Sequence, residues 1–434
     1  MGAFLGMRGT GDWGTDERPK NWRQGILHEY PNGMAPLTAL MSKMKESSVD
    51  DPEFYWWTKS LPTQAGAITE LHYDAAMGGS AEYASGDDVG AGQVLYVEVA
   101  EATAQHFRAG HQALLRYSED YRVDTNVKVT AVQKNGDASR ITIKLLEADN
   151  TDGDYDISYA DRILIIGNLN PEGATMPDAV AYDPTKIYNK TQIFRSPLEL
   201  TRTARLTKLR TADAYTEAKR EALEMHSIEM EKAFLWGIMT ENIGSNGKPE
   251  RTTRGLIDVI KTYASGNCSD FSLDTDYSGQ KWLVGGEDWL DNRLRLMFRY
   301  GKREKLVFAG DGALLAINRL AKSSGQFELT AATKSYGIQV TEWQTAFGKI
   351  NIVTHPLFSY ETTNQYSMVV FEPENMKYRY ITDTTFYKDP DKQNTGWTRK
   401  DGTSEEFLTE AGLEFYFPTG WGYLNGVGKD NALS

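Results

Sequence analysis

The chain has 434 residues, 40% of them apolar and 25% charged, with a formal charge of −13 and one cysteine, Cys268. That length leaves room for a large core spread over about three domains, or over one domain with long insertions. A single cysteine excludes an intramolecular disulfide framework and any Cys-cluster zinc or iron–sulfur centre. The acidic balance argues against a protein whose main task is to coat phosphate backbones.

No run of 18 apolar residues is present, so no membrane-spanning helix is expected. The first residues lack the basic-then-apolar order of a secretory signal, and position 6 is Gly where a myristoylation pattern needs Ser or Thr. The expectation is a soluble chain made in a cytoplasm.

Residues 1–60 read as an arm. Five glycines fall in the first 14 residues, and two short helical pieces follow at Trp22–Glu29 and Pro36–Glu46, separated by Pro31-Asn32-Gly33. Leu37, Leu40, Met41 and Met44 make one apolar face, but the segment is too polar to build its own core. Residues 61–208 carry β signals at Val94–Val99, Val127–Val132, Ile141–Leu145 and Arg162–Ile166, punctuated by Asn135-Gly136-Asp137 and Thr151-Asp152-Gly153-Asp154. They read as a small β subdomain inserted in a longer excursion. The return limb runs through Tyr188–Thr203, where Pro197 predicts an edge strand or a bend.

Residues 211–243 predict one long helix of about 30 residues and roughly 45 Å. Tyr215, Ala218, Ala222, Met225 and Ala233 form its stripe, and Gly244 and Gly247-Lys248-Pro249 end it. Residues 255–380 read as α/β. Helices are expected at Gly255–Tyr263, Glu287–Tyr300 and Gly312–Lys322, with strands at Lys305–Ala309, Ile338–Trp343, Lys349–Thr354 and Met368–Phe371. In the tail a polar loop, Lys388–Thr403, precedes a loosely alternating strand, Leu408–Phe417.

Motifs that could carry chemistry are weak. Gly9-Thr10-Gly11-Asp12-Trp13-Gly14 matches the dinucleotide fingerprint, but no strand precedes it and Trp13 would crowd the phosphates. Gly247-Lys248 is followed by Pro249, so no P-loop forms. The six histidines are His28, His72, His106, His111, His226 and His355. His106 and His111 lie five apart on an expected β segment, out of register for a shared helix face. His226 reads as solvated or interfacial. The acidic run Asp149–Asp156 fails the calcium-loop spacing and reads as a hairpin tip. Asn267-Cys268-Ser269 fits a glycosylation acceptor that would matter only in a secreted chain. No catalytic, cofactor-binding or metal-binding residue is assigned, and no cofactor is expected.

Several strings, in order, resemble the major capsid proteins of tailed bacteriophages with the HK97-type fold. They are Met34-Ala35-Pro36-Leu37-Thr38-Ala39-Leu40 with Phe54–Trp57; Ile166-Gly167 with Pro171–Ala174; and Asn189-Lys190-Thr191-Gln192-Ile193-Phe194. His226, Glu229 and Glu231–Gly237 follow, then Thr252–Ile257, Thr409–Phe415 and Pro418–Gly426. The resemblance implies an α+β fold with an N-terminal arm (1–60) and an extended loop (61–208) whose β-rich insertion spans about 94–168. A peripheral-domain spine helix (209–254), an α/β axial domain (255–375) and a return to peripheral strands (376–434) complete it. It implies a structural, non-enzymatic subunit that assembles as hexamers and pentamers into an icosahedral head around double-stranded DNA. Partners would be the chain itself and a portal protein, with scaffold and decoration proteins as further candidates; the chain would assemble in the host cytoplasm and reside in the virion. Some relatives join subunits through Lys–Asn bonds; Lys186 and Lys190 lie in the excursion, but no partner Asn is marked, so non-covalent linkage is expected. The Trp and Tyr count keeps open a secreted or tail-associated carbohydrate binder, and the abundant carboxylates keep open a glycoside hydrolase.

Overall fold

The computed structural model describes residues 37, 46–59, 62–76, 82–87, 89–136, 138–150, 152, 154–173, 175–207, 213–324, 329–335, 338–388 and 402–433. The fingerprint-like glycines and the helix expected at Trp22–Glu29 lie outside them. Of the piece expected at Pro36–Glu46, Leu37 is helical and Glu46 begins a strand. The chain forms two compact units, residues 57–185 and the remainder.

Residues 57–185 form a seven-stranded antiparallel sheet. Its spatial order is Ala65–Ala67, Arg162–Asn168, His111–Arg116, Thr125–Gln133, Ser139–Leu145, Val94–Val99, Glu70–His72. Alternation explains it: Leu95, Val97, Val99, Ala113, Leu115, Val127, Val129, Ile141 and Ile143 all point to one buried face. The sheet draws in two short strands from ahead of residue 94, and these three-residue pieces form its edges.

Two expectations fail here. Asp149–Asp156 is not a hairpin tip, because the strands it connects are separated in the sheet and the loop must cross over. The loop's acids are taken up locally. Asp149 accepts the Ile157 N–H (3.1 Å) and the Tyr83 hydroxyl, and Asp156 accepts the N–H groups of Gly86 (2.6 Å) and Ser158 (3.0 Å). His106 is not in a strand; it follows the short helix Glu101–Ala104, and only His111 begins a strand.

The other unit is built on one helix and two sheets. The helix runs Ala214–Trp236, 23 residues rather than 30, or about 35 Å. Asp213 caps it by accepting the Thr216 N–H at 3.1 Å. It stops at Gly237, not Gly244, and Thr240–Ile243 pairs with Pro249–Thr252 as a hairpin. Its buried stripe is His226, Met230, Glu231, Phe234 and Leu235, whereas the expected stripe residue Met225 is 50% exposed. Two of the five buried positions are polar, which hides the stripe from hydrophobic periodicity.

A four-stranded sheet lies against this helix, in the order Glu46–Ser48, Met376–Tyr387, Gly402–Phe415, Gln192–Thr201. The first pair is parallel and the others antiparallel. Gln192–Thr201 is an edge strand, as Pro197 predicts. A mixed seven-stranded sheet follows, in the order Cys268–Asp270, Gly422–Asn425, Met368–Phe371, Glu304–Ala309, Lys349–Thr354, Ile338–Gln344, Leu329–Ser335. Phe308, Val353, Val369 and Phe371 share one core with Phe234, Leu235, Leu256 and Ile260. Val307, Ile350, Ile352, Met368 and Val370 share another with Trp289, Leu294, Ala313 and Ile317. The sheet is thus covered on both faces, which is why Met368–Phe371 reads as an unbroken apolar run. The covering helix expected at Glu287–Tyr300 is Trp282–Met297. Gly285 and Gly286 sit inside it; a Cβ on Gly286 would lie 2.7 Å from the Trp282 ring, so packing rather than a turn requires that glycine.

Candidate functional site

Four of the strings singled out above converge on one junction, although up to about two hundred residues separate them in sequence. Asn189 is at its centre and fully buried. Its carbonyl oxygen accepts the N–H groups of Lys190 and Arg254, both at 2.8 Å, and its amide donates to the Leu413 carbonyl at 2.7 Å. One side chain therefore ties the strand Thr185–Lys190, the start of the helix Leu256–Tyr263 and the strand Gly402–Phe415. Gln192 extends the tie by accepting the Thr253 N–H at 3.1 Å. Phe194 then packs edge-on against Phe234 of the long helix, ring centroids 5.7 Å apart.

At the same junction two helices meet through glycine. Gly237 donates to the Ala233 carbonyl and accepts from the Gly255 N–H, each at 2.8 Å. A Cβ on Gly255 would lie 2.8–2.9 Å from backbone atoms of Gly237, Ala233 and Leu235. The close approach lets the chain turn directly from the long helix, through the hairpin, into Leu256–Tyr263.

The buried polar residues of the long helix are fully engaged. His226, expected to be solvated or interfacial, is 1% exposed. Its Nδ1 lies 2.9 Å from Ser196 Oγ and its Nε2 lies 2.7 Å from Thr409 Oγ1, which in turn meets Thr384 Oγ1 at 2.9 Å. Burial pushes the His226 imidazole below its ordinary value of 6.5, against a smaller opposing pull from Glu229. Ser196, His226 and Glu229 superficially suggest a nucleophile, base and orienting acid. The geometry is wrong for that chemistry: the carboxylate reaches Ser196 (3.5 Å), and the far ring nitrogen meets a threonine hydroxyl. The arrangement holds the helix to the edge strand Gln192–Thr201 and to the neighbouring strand Gly402–Phe415, whose Thr409 in turn reaches Met376–Tyr387.

Glu231 makes a second such contact. His355 Nδ1 accepts the Leu357 N–H at 3.2 Å, so its Nε2 carries the proton and donates to Glu231 Oε1 at 2.8 Å. The Leu37 N–H donates to the same oxygen at 2.8 Å, and Leu37 itself is fully buried. A point of the N-terminal arm is thereby fixed to the long helix and to the mixed sheet. Sequence reasoning missed Asn189, Glu231 and His355 as structural pins, because nothing local marks a polar residue whose partners lie 65 to 224 residues away.

The remaining motif residues are also occupied. Lys190 pairs with Glu241 and Glu53, and Lys186 lies 3.5 Å from the centre of the Tyr55 ring. Asn267 is buried and donates to the carbonyls of Thr419 and Trp421. Burial raises the Cys268 thiol above its ordinary range. His111 accepts from Arg108, and His106 lies 3.3 Å from the Tyr182 hydroxyl. Trp56, Trp282, Trp289, Trp343 and Trp421 are buried in the cores, so they offer no exposed aromatic ladder for a glycan; Trp57 is 62% exposed.

The family model of the SU10 major capsid protein matches residues 15–428. The major capsid protein of Pseudomonas phage PaMx41 is 23% identical over 453 residues, covering 99% of this chain and 97% of that one. Among solved structures, the SrpI encapsulin of Synechococcus elongatus PCC 7942 aligns with a TM-score of 0.38 at 13% identity, covering 57% of this chain and 76% of that one. The capsid of Myoviridae phage XM1 aligns at 0.37 and 11%, covering 59% and 80%.

Proposed function

Because the chain belongs to the SU10 major capsid protein family, with a structural role in the virion, we propose that its copies assemble as hexamers and pentamers into the icosahedral head of a tailed phage. The carrying observation is the extent of the family match, residues 15–428, which takes in most of the arm and nearly all of both compact units. In this reading the subunit has the HK97-type organisation. Residues 1–60 are the arm, 61–208 the extended loop, 209–254 the spine, 255–375 the axial domain, and 376–434 the return to peripheral strands. The rival carbohydrate-binding and glycosidase readings gain no support from the comparisons.

The subunit carries out no catalysis in this proposal. It is made and assembled in the host cytoplasm, meets a portal protein at one vertex, and faces packaged double-stranded DNA on the inner side. With a charge of −13, its contacts to that DNA are few and local. Linkage between copies is non-covalent; the engagement of Lys186 and Lys190 within the subunit supports this.

The test is negative-stain imaging with light scattering on the purified chain and on particles from infected cells. Closed shells, tubes or ring-shaped capsomers are expected, and denaturing gels of particles should show a single band at the monomer mass. A chain that stays monomeric and is absent from particles overturns the assembly proposal; a ladder of covalent multimers overturns the linkage.

A further inference from the structure

We propose that an edge of the seven-stranded sheet in residues 57–185 carries a divalent-cation site, suited to zinc, formed by Glu70, His72 and Glu98. The strands Glu70–His72 and Val94–Val99 are antiparallel, with Glu70 directly opposite Glu98. Two carboxylates facing each other across a strand pair repel. His72, two residues from Glu70, shares their face, while Leu71 and Val97 point into the core. One donor atom from each of the three residues can be chosen so that all lie within 4.8 Å of one another.

The histidine supplies a separate observation. His72 is 0% exposed, its Nε2 lies 3.1 Å from Glu70 Oε2, and its Nδ1 has no hydrogen-bond partner among the described residues. The fully buried ring thus aims Nε2 at the carboxylate cluster, the placement a metal-ligating imidazole needs. The spacing fits a shared metal. Two ligands each about 2.0–2.1 Å from zinc at a tetrahedral angle stand roughly 3.3 Å apart, close to the observed contact.

No protein cation takes the place of the ion among the described residues. Arg140 is the cross-strand neighbour of Glu98, but its guanidinium lies 5.7 Å from the centre of the Tyr96 ring and bonds Gln133. The one ion pair of Glu70 among the described residues is with His72 itself. One imidazole and two carboxylates suit zinc better than calcium or magnesium, which prefer all-oxygen shells. Glu70 is exposed, so an ion has a path in and water can complete its shell. Bound there, the metal would clip a three-residue edge strand to its neighbour and cancel the facing charges.

The experiment is calorimetric titration of the chelator-treated, full-length chain with zinc chloride, alongside Glu98→Gln and Glu70→Gln. One zinc per chain is expected, with affinity falling roughly tenfold or more in each variant because a ligand is lost. Zinc should raise the melting temperature of the parent chain and not that of Glu98→Gln. Cobalt in place of zinc should give a visible absorption band that Glu98→Gln weakens. Absence of saturable zinc binding in the parent, or binding unchanged in both variants, overturns the site. Neither result bears on whether the chain builds capsids.

Discussion

Asn189 shows how much one polar side chain can organise. It satisfies two backbone N–H groups and one carbonyl in a fully buried place. Leaving such groups unpaired costs about 1–3 kcal/mol each. Asn189→Ala is therefore expected to destabilise the subunit by about 3 kcal/mol or more, read as a lowered urea midpoint at unchanged slope. His226 makes the matching prediction for pH. Its folded-state value is depressed below 6.5 by burial, so below that pH the unfolded chain binds a proton that the folded chain refuses. Stability should then be constant above about pH 7 and fall between pH 6.5 and 5, by at most about 1.4 kcal/mol per pH unit from this residue. His111, also lowered by burial and by Arg108, adds in the same direction. Urea midpoints at pH 7.5 and 5.5 test this: His226→Gln should shrink the difference, and an equal difference in parent and variant would contradict the assignment.

At the scale of elements, the long helix and the helix that follows it are fixed by a glycine crossing rather than by helix propensity. Gly255 has ordinary backbone angles, φ −90° and ψ 172°, so the constraint is space and not conformation. Gly255→Ala would press a methyl group against three backbone atoms, two of them joined in the hydrogen bond from the Gly237 N–H to the Ala233 carbonyl. Overpacking of this kind costs typically 1–3 kcal/mol. The variant should lose that much in denaturant titration, whereas Gly266→Ala, in open space, should lose far less. The boundaries of the long helix teach the same lesson. Asp213 caps its start through a local hydrogen bond to the Thr216 N–H, but its end at Gly237 comes from the approach of residues 253–255.

For the whole molecule, the telling feature is how the chain leaves and re-enters one compact unit. The strands Glu53–Thr58 and Thr185–Lys190 pair as a ribbon. Thr58 contacts Thr185, the rings of Tyr55 and Tyr188 lie 5.9 Å apart, and Glu53 meets Lys190 at 3.6 Å, so the two run antiparallel. Residues 57–185 have their own core. Replacing residues 59–184 by an Asn-Gly turn should therefore leave a soluble chain with its long helix and mixed sheet intact. The excised segment alone should fold as a β protein. Circular dichroism and thermal melts of the two pieces check this; an unfolded shortened chain would show that the segment contributes to folding and not only to assembly.

Short runs rich in β-branched and other apolar residues were enough to locate most strands of both seven-stranded sheets, since Leu95, Val97, Ile141 and Ile143, or the run Met368–Phe371, declare their burial through side-chain chemistry alone. Pro197 likewise marked a sheet edge through local backbone physics. The ordered strings were enough for the family. What tertiary structure decided is everything whose stabilising partner is distant. That includes the polar stripe of His226 and Glu231, the pin at Asn189, the pairing of Gly237 with Gly255, and the crossing path of Asp149–Asp156. A buried polar group or a close-packed glycine has no periodic signature, because its reason for being there is an atom supplied from elsewhere in the chain.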